Sequence, residues 1–558
     1  MNWIENAASS LAEAVNGLLG PLADFLVGYV WNWPEQAPLL AVLLLGTGLF
    51  VTVRLAFVQV KGFRHAINIA RGVYDDPKDA GDLNHFQALT TALSATVGIG
   101  NIAGVAIAIR MGGPGALFWM WLTAFFGMAL KYAECTLALK YRHLHKDGSV
   151  SGGPMFYISK GLGGNWKIMG GVFAACAAIC SFGSGCMNQS NTLAVRVESH
   201  FGIPAVWTGL IFAALVAMVI IGGIKRIGRV TSILAPFMAI LYVGGALVIL
   251  MMNLNLVPGA FETIFTQAFA PKSLAGGAAG SILMTVMWGI RRGLFSNEAG
   301  QGSAPIAHAT AKTDEPVREG LVASLGPFID TLVICTMTGL VIIVSGAWMD
   351  KVPQTLDLGA VTVRSAALEQ ASAPMAELKV QDGLLDQVTV EYLRNTVDNV
   401  RLLDESGSSW NGTILVDHEG AASLPEGGTP VFVEGDAFLT GADMTALGFE
   451  KMLGNTGSIL VTLAVILFAV STAISWSYYG DRSVEFLFGP RAIPIYRWLF
   501  VAFFFLGCVL PLQAVWTWGD VALGIMSIPN LIALVLLAGK VREMTKDYFS
   551  REHIPYGR

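Results

Sequence analysis

Charge is scarce in this chain: aspartate, glutamate, lysine and arginine make up only 13% of its 558 residues, against 54% hydrophobic residues, and mean hydropathy is +0.59. That balance excludes an ordinary soluble protein and indicates a polytopic membrane protein. No basic stripe or arm is present, so nucleic acid is not a partner. Cysteine is rare too. Cys135, Cys176, Cys180, Cys186, Cys335 and Cys508 all lie in apolar segments without a CxxC spacing, which excludes a thiol metal or redox centre and reads as packing. No nucleophile stands with a base or a metal set, so neither an enzyme nor a cofactor is expected. The N-terminus, from Met1 to Glu5, lacks a basic region and a small-residue cleavage site, so no cleaved signal peptide is expected.

What is present in quantity is apolar sequence. Runs long enough to cross a bilayer, which takes about 20 residues, occur at 37–57, 88–110, 114–140, 168–194, 205–222, 228–252, 279–308, 320–346, 457–479, 494–512 and 516–539, eleven in all. Residues 1–36 precede them as a moderately apolar segment, with 11–30 expected as an interfacial helix. Lys and Arg crowd alternate loops, from Arg54, Lys61, Arg64 and Arg71 to the tail 540–558, whereas the other short loops hold only Arg110, Arg196 and Lys272. The positive-inside rule then places the N-terminus outside and the C-terminus in the cytoplasm. One long polar segment, 350–453, breaks the pattern of short connections. It is acidic, with strand-like runs at 387–393, 413–417 and 430–434 between glycine turns, and is expected to be a small extracytoplasmic β-rich insertion, either spacer or ligand module.

Two apolar segments carry polar, glycine-rich interruptions. One is S-A-T-V-G-I-G-N-I-A-G-V at 94–105; the other is W-G-I-R-R-G-L-F-S-N-E-A-G-Q-G-S-A-P-I-A-H-A at 288–309. Broken backbone at membrane depth is tolerated only inside protein or beside a watery cavity. There, freed carbonyls bind cations and half-helix N-termini hold carboxylates. Asn101-Ile-Ala-Gly104 echoes Asn297-Glu-Ala-Gly300, and paired interruptions of this kind point to the substrate site of an inverted-repeat transporter. Asp330 lies inside the span 320–346, where an ionisable group marks a functional site and reads here as cation binding or protonation, or else as a structural partner of a base. Arg291, Arg292 and Glu298 are candidate gate or network charges. Lys131 and Glu134, three apart, read as an internal structural pair, and His308 as a helix-end residue.

The stretch 289–309 closely resembles the signature of the alanine or glycine:cation symporter family, and A-T-V-G-I-G-N-I-A-G-V-A (95–106), P-F-I-D-T (327–331) and S-T-A-I-S-W-S-Y-Y-G-D-R-S (471–483) support it. The resemblance implies an all-α polytopic membrane protein with the leucine-transporter fold: two inverted five-helix repeats (5+5) after one extra N-terminal span at 37–57. Core helices 1 to 5 would occupy 88–252, helices 6 and 7 would occupy 279–346, and helices 8 to 10 would occupy 457–539, with the insertion 350–453 unusual for the family. It further implies a bacterial inner-membrane symporter driving a small neutral amino acid, alanine or glycine, with Na+ as the coupling ion. The ion would be held by Ala95, Val97, Asn101, Ser471 and Thr472, with Asp330 a further candidate. The substrate would meet Gly98, Gly100 and Gln189, the carbonyls of Gly289, Ile290 and Gly293, and Trp476. Coupling to H+ and a sensor role for the external segment are the alternatives, and a channel lacks a repeated filter element.

Overall fold

The computed structural model describes residues 2–31, 33–34, 38–146, 148–270, 278–364, 375–385, 388–392, 395–417, 420–425, 431–510 and 513–555. Among them seven helical segments are long and apolar enough to cross a membrane: Ala116–Lys140, Trp166–Phe201, Gly223–Met252, Pro316–Ser345, Asn455–Phe488, Pro490–Val509 and Thr517–Ser550. An eighth crossing is assembled from two pieces. His85–Thr96 and Gly100–Gly112 meet at a bend of 55°, in the interruption singled out from the sequence. The protein is thus a multi-pass membrane protein. Leu39–Arg54 and Ala205–Ile220 are apolar as well but run 16 residues each, short of the roughly 20 of a full crossing.

The elements used below are α1 (Asn2–Trp31), α2 (Leu39–Arg54), α3 (His85–Thr96), α4 (Val105–Gly112), α5 (Ala116–Lys140), α6 (Trp166–Phe182), α7 (Asn188–Phe201), α8 (Ala205–Ile220), α9 (Gly223–Met252), α10 (Ala278–Asn297), α11 (Ala304–His308), α12 (Pro316–Pro327), α13 (Thr336–Ser345), α14 (Gly441–Leu453), α15 (Asn455–Phe488), α16 (Ile493–Val509) and α17 (Gln513–Ser550). Wider π-helical turns join α3 to α4 (Gly100–Gly104), α6 to α7 (Gly183–Met187) and α12 to α13 (Phe328–Cys335). Such turns unpair or re-aim backbone groups and concentrate at functional sites. The segment expected at the interface is longer than its sequence signal and lies against the last helix: Trp31 is buried and donates from Nε1 to the Asp520 carbonyl at 2.8 Å.

Local sequence explains where the helices start and break. Asn84 caps α3 reciprocally, accepting from the Gln87 amide at 2.8 Å while the Gln87 side chain accepts from the Asn84 amide at 3.2 Å. At the other break, between α10 and α11, Gly300 and Gly302 adopt φ of +84° and +86° and Glu298 adopts φ of +53°. Glycine takes that conformation freely, while a non-glycine residue there is held by its surroundings.

The sequence expectation for Gly289, Ile290 and Gly293 requires correction. They were expected to offer free carbonyls, yet all three lie inside the continuous helix α10, and the chain unwinds only from Glu298. Close packing explains these glycines. A β-carbon at Gly289 would stand 2.4 Å from the Ala116 carbonyl oxygen, and one at Gly293 would stand 3.1 Å from Thr123 Cβ. The two small residues, four apart, let α10 and α5 approach backbone to backbone.

Between α13 and α14 the chain forms small antiparallel sheets. Val431–Phe438 (β6) pairs on one side with Lys351–Asp357 (β1) and on the other with Asp398–Asp404 (β4), while Met375–Gln381 (β2) pairs with Gly412–Asp417 (β5), and Thr389–Tyr392 (β3) belongs to a third sheet. Alternation is clean in β6, where Val431, Val433 and Ala437 point into an apolar core with Leu402, Ile414 and Val416. Strand character was therefore expected in the right places; Gln387, Leu393 and Pro430, at the ends of the expected runs, lie outside the described residues.

Candidate functional site

A cavity of about 680 Å³ lies between α7, α10, α15, α17 and the bent junction of α3 with α4. Six of the residues anticipated from sequence line it: Ala95, Gly98, Gly100, Gln189, Thr472 and Trp476. They meet around Gly98. A β-carbon there would be 2.6 Å from Thr472 Oγ1 and 3.7 Å from Gln189 Oε1, so only glycine fits, and those two oxygens face its backbone. Neither oxygen has a hydrogen-bond partner although both are buried. A buried polar atom without a partner costs about 1–3 kcal/mol, so both oxygens are available to a bound cation or substrate.

Trp476 is buried, packs its ring against Gly185, where a β-carbon would stand 2.6 Å from Cγ, and donates from Nε1 to Glu298 Oε1 at 3.2 Å. Glu298 also accepts from Ser303 Oγ at 2.5 Å. The residue weighed from sequence as a network charge is thus part of the cavity wall, together with Arg292 and Phe295. Asn188, Thr192 and Arg196 continue that wall along α7, and Thr440, Gly441, Ala442 and Asp443 close it at the far end. No periodicity or motif marks Thr440 to Asp443 in the sequence, because they belong to the end of the long polar segment.

Val97, Asn101, Ser471 and Asp330 stand behind the cavity lining. Val97 occupies the bend itself, with ψ of 88°. Ser471 Oγ lies 3.3 Å from the Ser94 carbonyl, the last turn before the bend, and also bonds Phe468 O at 3.1 Å. Asn101 and Asp330 form a buried polar cluster. Asn101 Oδ1 accepts from the Gly98 amide at 2.9 Å, and its Nδ2 donates to Asp330 Oδ1 at 2.6 Å and to Ser296 Oγ at 3.1 Å. Asp330 Oδ2 accepts from Ser296 at 2.8 Å and from Thr331 at 2.7 Å. Ser296 and Cys335 join this cluster without having been anticipated.

The second asparagine of the echo repeats the first one's work. Asn297 Oδ1 accepts from the Ala299 amide at 3.0 Å, and its Nδ2 lies 3.3 Å from Thr331 Oγ1. Each asparagine thus satisfies an amide freed by its own helix break and ties that break to residue 330 or 331. Glu134, expected as the internal partner of Lys131, accepts from Asn530 Nδ2 at 2.6 Å, and Asn530 also donates to the Gly300 carbonyl at 2.9 Å, which fixes the break after α10 to α17.

At the opposite end from Asp443 the two broken helices are fastened together. Lys312 N donates to the Leu83 carbonyl at 2.7 Å and Asp82 N to the Thr310 carbonyl at 2.8 Å. Arg142 spans the same loops, donating to the carbonyls of Ala80, Ala309, Ala311 and Thr313. His85 and His308 both hydrogen-bond the buried Glu319, so His308, at the end of α11 as expected, is also a structural tie. None of these fastening residues lines the cavity.

Comparison with known proteins shows which family the chain resembles. Residues 22–381 and 427–554 match the sodium:alanine symporter family, leaving 382–426, within the β segment, outside the match. The sodium/alanine symporter AgcS of Methanococcus maripaludis is 41% identical over 529 residues, covering 94% of this chain and 96% of the relative. From Bacillus subtilis, the "Probable sodium/glutamine symporter GlnT" is 35% identical over 513 residues, covering 91% and 87%. The amino-acid carrier protein AlsT of the same organism is 32% identical over 537 residues, covering 96% and 92%.

Proposed function

Because the chain belongs to the sodium:alanine symporter family, we propose that it imports a small neutral amino acid, alanine or glycine, driven by a Na+ gradient. One observation carries this reading: the unpartnered, buried oxygens of Thr472 and Gln189 converge on the glycine backbone of a bent helix inside a cavity. Na+ would lie between the Ala95 and Val97 carbonyls and the hydroxyls of Ser471 and Thr472, neutral oxygen donors suited to a hard cation. The substrate carboxylate would meet the backbone around Gly98 and Gly100, where the Gly98 amide itself is already held by Asn101 Oδ1, with Gln189 beside it, and Trp476 would bound the side-chain end. Its ammonium would face the wall formed by Glu298 and the end of α10, in place of the carbonyls of Gly289, Ile290 and Gly293. Asn101 and Asp330 would hold the bend in shape and offer a second cation position.

The same reading gives the chain eleven spans in two inverted repeats of five after one extra span, with the N-terminus and 350–453 outside and the C-terminus in the cytoplasm. The cavity would then open outward, and inward release would require the fastened ends of α3 and α11 to move. Coupling to H+ is the second reading, favoured by the burial of Asp330 among neutral donors. Uptake of labelled alanine and glycine into proteoliposomes decides between them. Concentration driven by an inward Na+ gradient but not by an equal choline gradient supports Na+ symport; uptake driven only by a pH gradient moves the coupling role to Asp330; no uptake under any gradient refutes the proposed substrate.

A further inference from the structure

Arg292 lies in the cavity wall and takes no part in the site described above. Arg292, Phe295 and Glu298 all line the cavity, and their spacing of three puts the first two, with the start of the break, on one side of α10. The stem of Arg292 passes over Gly104, where a β-carbon would stand 3.9 Å from Arg292 Cδ. Its guanidinium sits 5.5 Å from the Trp288 ring and 5.9 Å from the Phe295 ring. Those rings ease the burial of positive charge, but they leave the N–H fork without acceptors. Nε is buried without a partner, and among the described residues none hydrogen-bonds or ion-pairs with the guanidinium. Glu298 is committed to Trp476 Nε1 and Ser303 Oγ. Asp520 on α17, whose charge is felt at Arg292, accepts instead from Ser184 Oγ at 2.7 Å. The neighbouring Arg291 adds a like charge.

A guanidinium keeps its charge in any surroundings, and a charge within a membrane span is expensive unless an anion meets it. This one borders a cavity, so the anion can be a ligand. An amino acid brings a carboxylate, whose two oxygens match the planar fork with two parallel hydrogen bonds. The position suits arrival rather than the final seat. From residue 292 to the break at Glu298 is about 9 Å of helix, on the side away from the fastened ends of α3 and α11, whereas the free oxygens of Thr472 and Gln189 converge on Gly98. Resting on the symporter reading above, we infer that Arg292 is an entry subsite, receiving the carboxylate of the incoming amino acid before the molecule settles against the backbone at Gly98. The role of Arg292 is then recognition of a free carboxylate, and Glu298, further along the same wall, keeps the opposite charge for the ammonium.

The test changes the charge at this position within the folded protein. Arg292→Cys is reconstituted and treated with aminoethyl, methyl or sulfonatoethyl methanethiosulfonate, which add a positive, a neutral or a negative group; the unaltered protein treated alike is the baseline. Uptake of labelled alanine under an inward Na+ gradient is then measured. The subsite predicts a KM raised roughly 10- to 100-fold in Arg292→Cys, the range of a hydrogen bond to a charge, and brought back to within about threefold by the aminoethyl group alone. Maximal rate should change little, because saturating alanine reaches Gly98 without the subsite. A KM indifferent to the sign of the added group overturns the proposal. So does an equal rise in Asp520→Asn with no further rise on adding Arg292→Cys, which would make Asp520 the partner of Arg292. A KM that responds to replacing chloride with methanesulfonate in the unaltered protein, and not in Arg292→Cys, would assign the fork to an inorganic anion and overturn it too. Should Arg292→Cys fail to fold, Arg292→Lys carries the test, since it keeps the charge and loses the fork: a raised KM at unchanged maximal rate supports the subsite, and an unchanged KM overturns it. If the unaltered protein takes up neither alanine nor glycine, the function proposed above falls, and the subsite is read without transport. Sodium acetate should then raise the melting temperature over equal sodium chloride in the unaltered protein and not in Arg292→Gln; equal shifts overturn the subsite.

Discussion

Replacing Thr472 with valine separates an ion ligand from a structural hydroxyl, because the two roles predict opposite signs. Thr472 is buried and its Oγ1 has no hydrogen-bond partner. Valine keeps the shape and removes the unpaired oxygen, so in sodium-free choline buffer the variant is expected to be more stable by about 1–2 kcal/mol, the cost of burying an unsatisfied hydroxyl. If that oxygen contacts Na+, the same change removes an interaction with a charge, worth about 1.5–3 kcal/mol, and raises the half-saturating Na+ concentration roughly 10- to 150-fold. Thermal unfolding of the purified protein, titrated with NaCl at constant total chloride, reads both quantities at once. Ligand stabilisation follows RT ln(1 + [L]/Kd), about 2.7 kcal/mol at 100 times Kd, so most of the sodium-dependent shift should vanish from the variant. Ser471→Ala is the counterpart: its hydroxyl bonds the Ser94 and Phe468 carbonyls, so that variant should lose stability in choline as well. A Thr472→Val protein less stable in choline and unaltered in its sodium shift would refute the reasoning.

Asn101→Ala removes the 2.6 Å donor of Asp330 and the acceptor of the Gly98 amide together. Coupled uptake should be abolished and stability should fall by about 2–4 kcal/mol, seen as a lower melting temperature; wild-type uptake would take Asn101 out of the site. Gly289→Val should reduce the yield of folded protein while leaving the KM of whatever folds unchanged, because its β-carbon meets the Ala116 carbonyl at 2.4 Å rather than the cavity; a raised KM with normal folding would restore Gly289 to the binding site. His65, half-buried on the short helix Phe63–Ala70 and bonded to Tyr548 at 2.8 Å, is pushed down to about 4 by burial and by the positive neighbours His553 and Arg318. Since the unfolded value is about 6.5, the folded state binds fewer protons between these values. Its contribution is full above pH 6.5 and is lost as pH falls toward 4, with an amplitude on the order of 1 kcal/mol or less for a half-exposed ring. The melting temperature should drop from pH 7 to pH 5, and by less in His65→Phe.

Sequence reasoning reached the cavity lining where the physics is local and missed it where the physics is tertiary. A glycine- and asparagine-bearing interruption inside hydrocarbon has few ways to satisfy its amides, so Gly98, Gly100 and Asn101 were legible, and Thr472 and Trp476, one turn apart on α15, followed from the resemblance. The glycines of α10 were misread because close helix packing and helix breaking draw on the same residue, and only the contacts with Ala116 and Thr123 tell them apart. Asp443 could not be found at all. Its place at the cavity depends on how the β segment folds back, and nothing in an acidic, turn-rich stretch encodes that distance.

The four-letter echo between Asn101 and Asn297 shows what a weak sequence signal can mean physically. Asn101 follows its helix break and Asn297 precedes its own, yet each accepts from an amide that the break has freed and sends its Nδ2 toward one short segment around Asp330 and Thr331. In a low-dielectric interior an unpaired amide is expensive, so a helix can be opened at membrane depth only where a side chain replaces the lost backbone partner. Asparagine is short enough to bond its own backbone and has a donor left over for a neighbour. Two breaks pinned to one π-helical turn cannot reshape independently. A cation that altered the Asp330 cluster would therefore act on both broken helices at once, which is what coupling an ion to a substrate held between them requires.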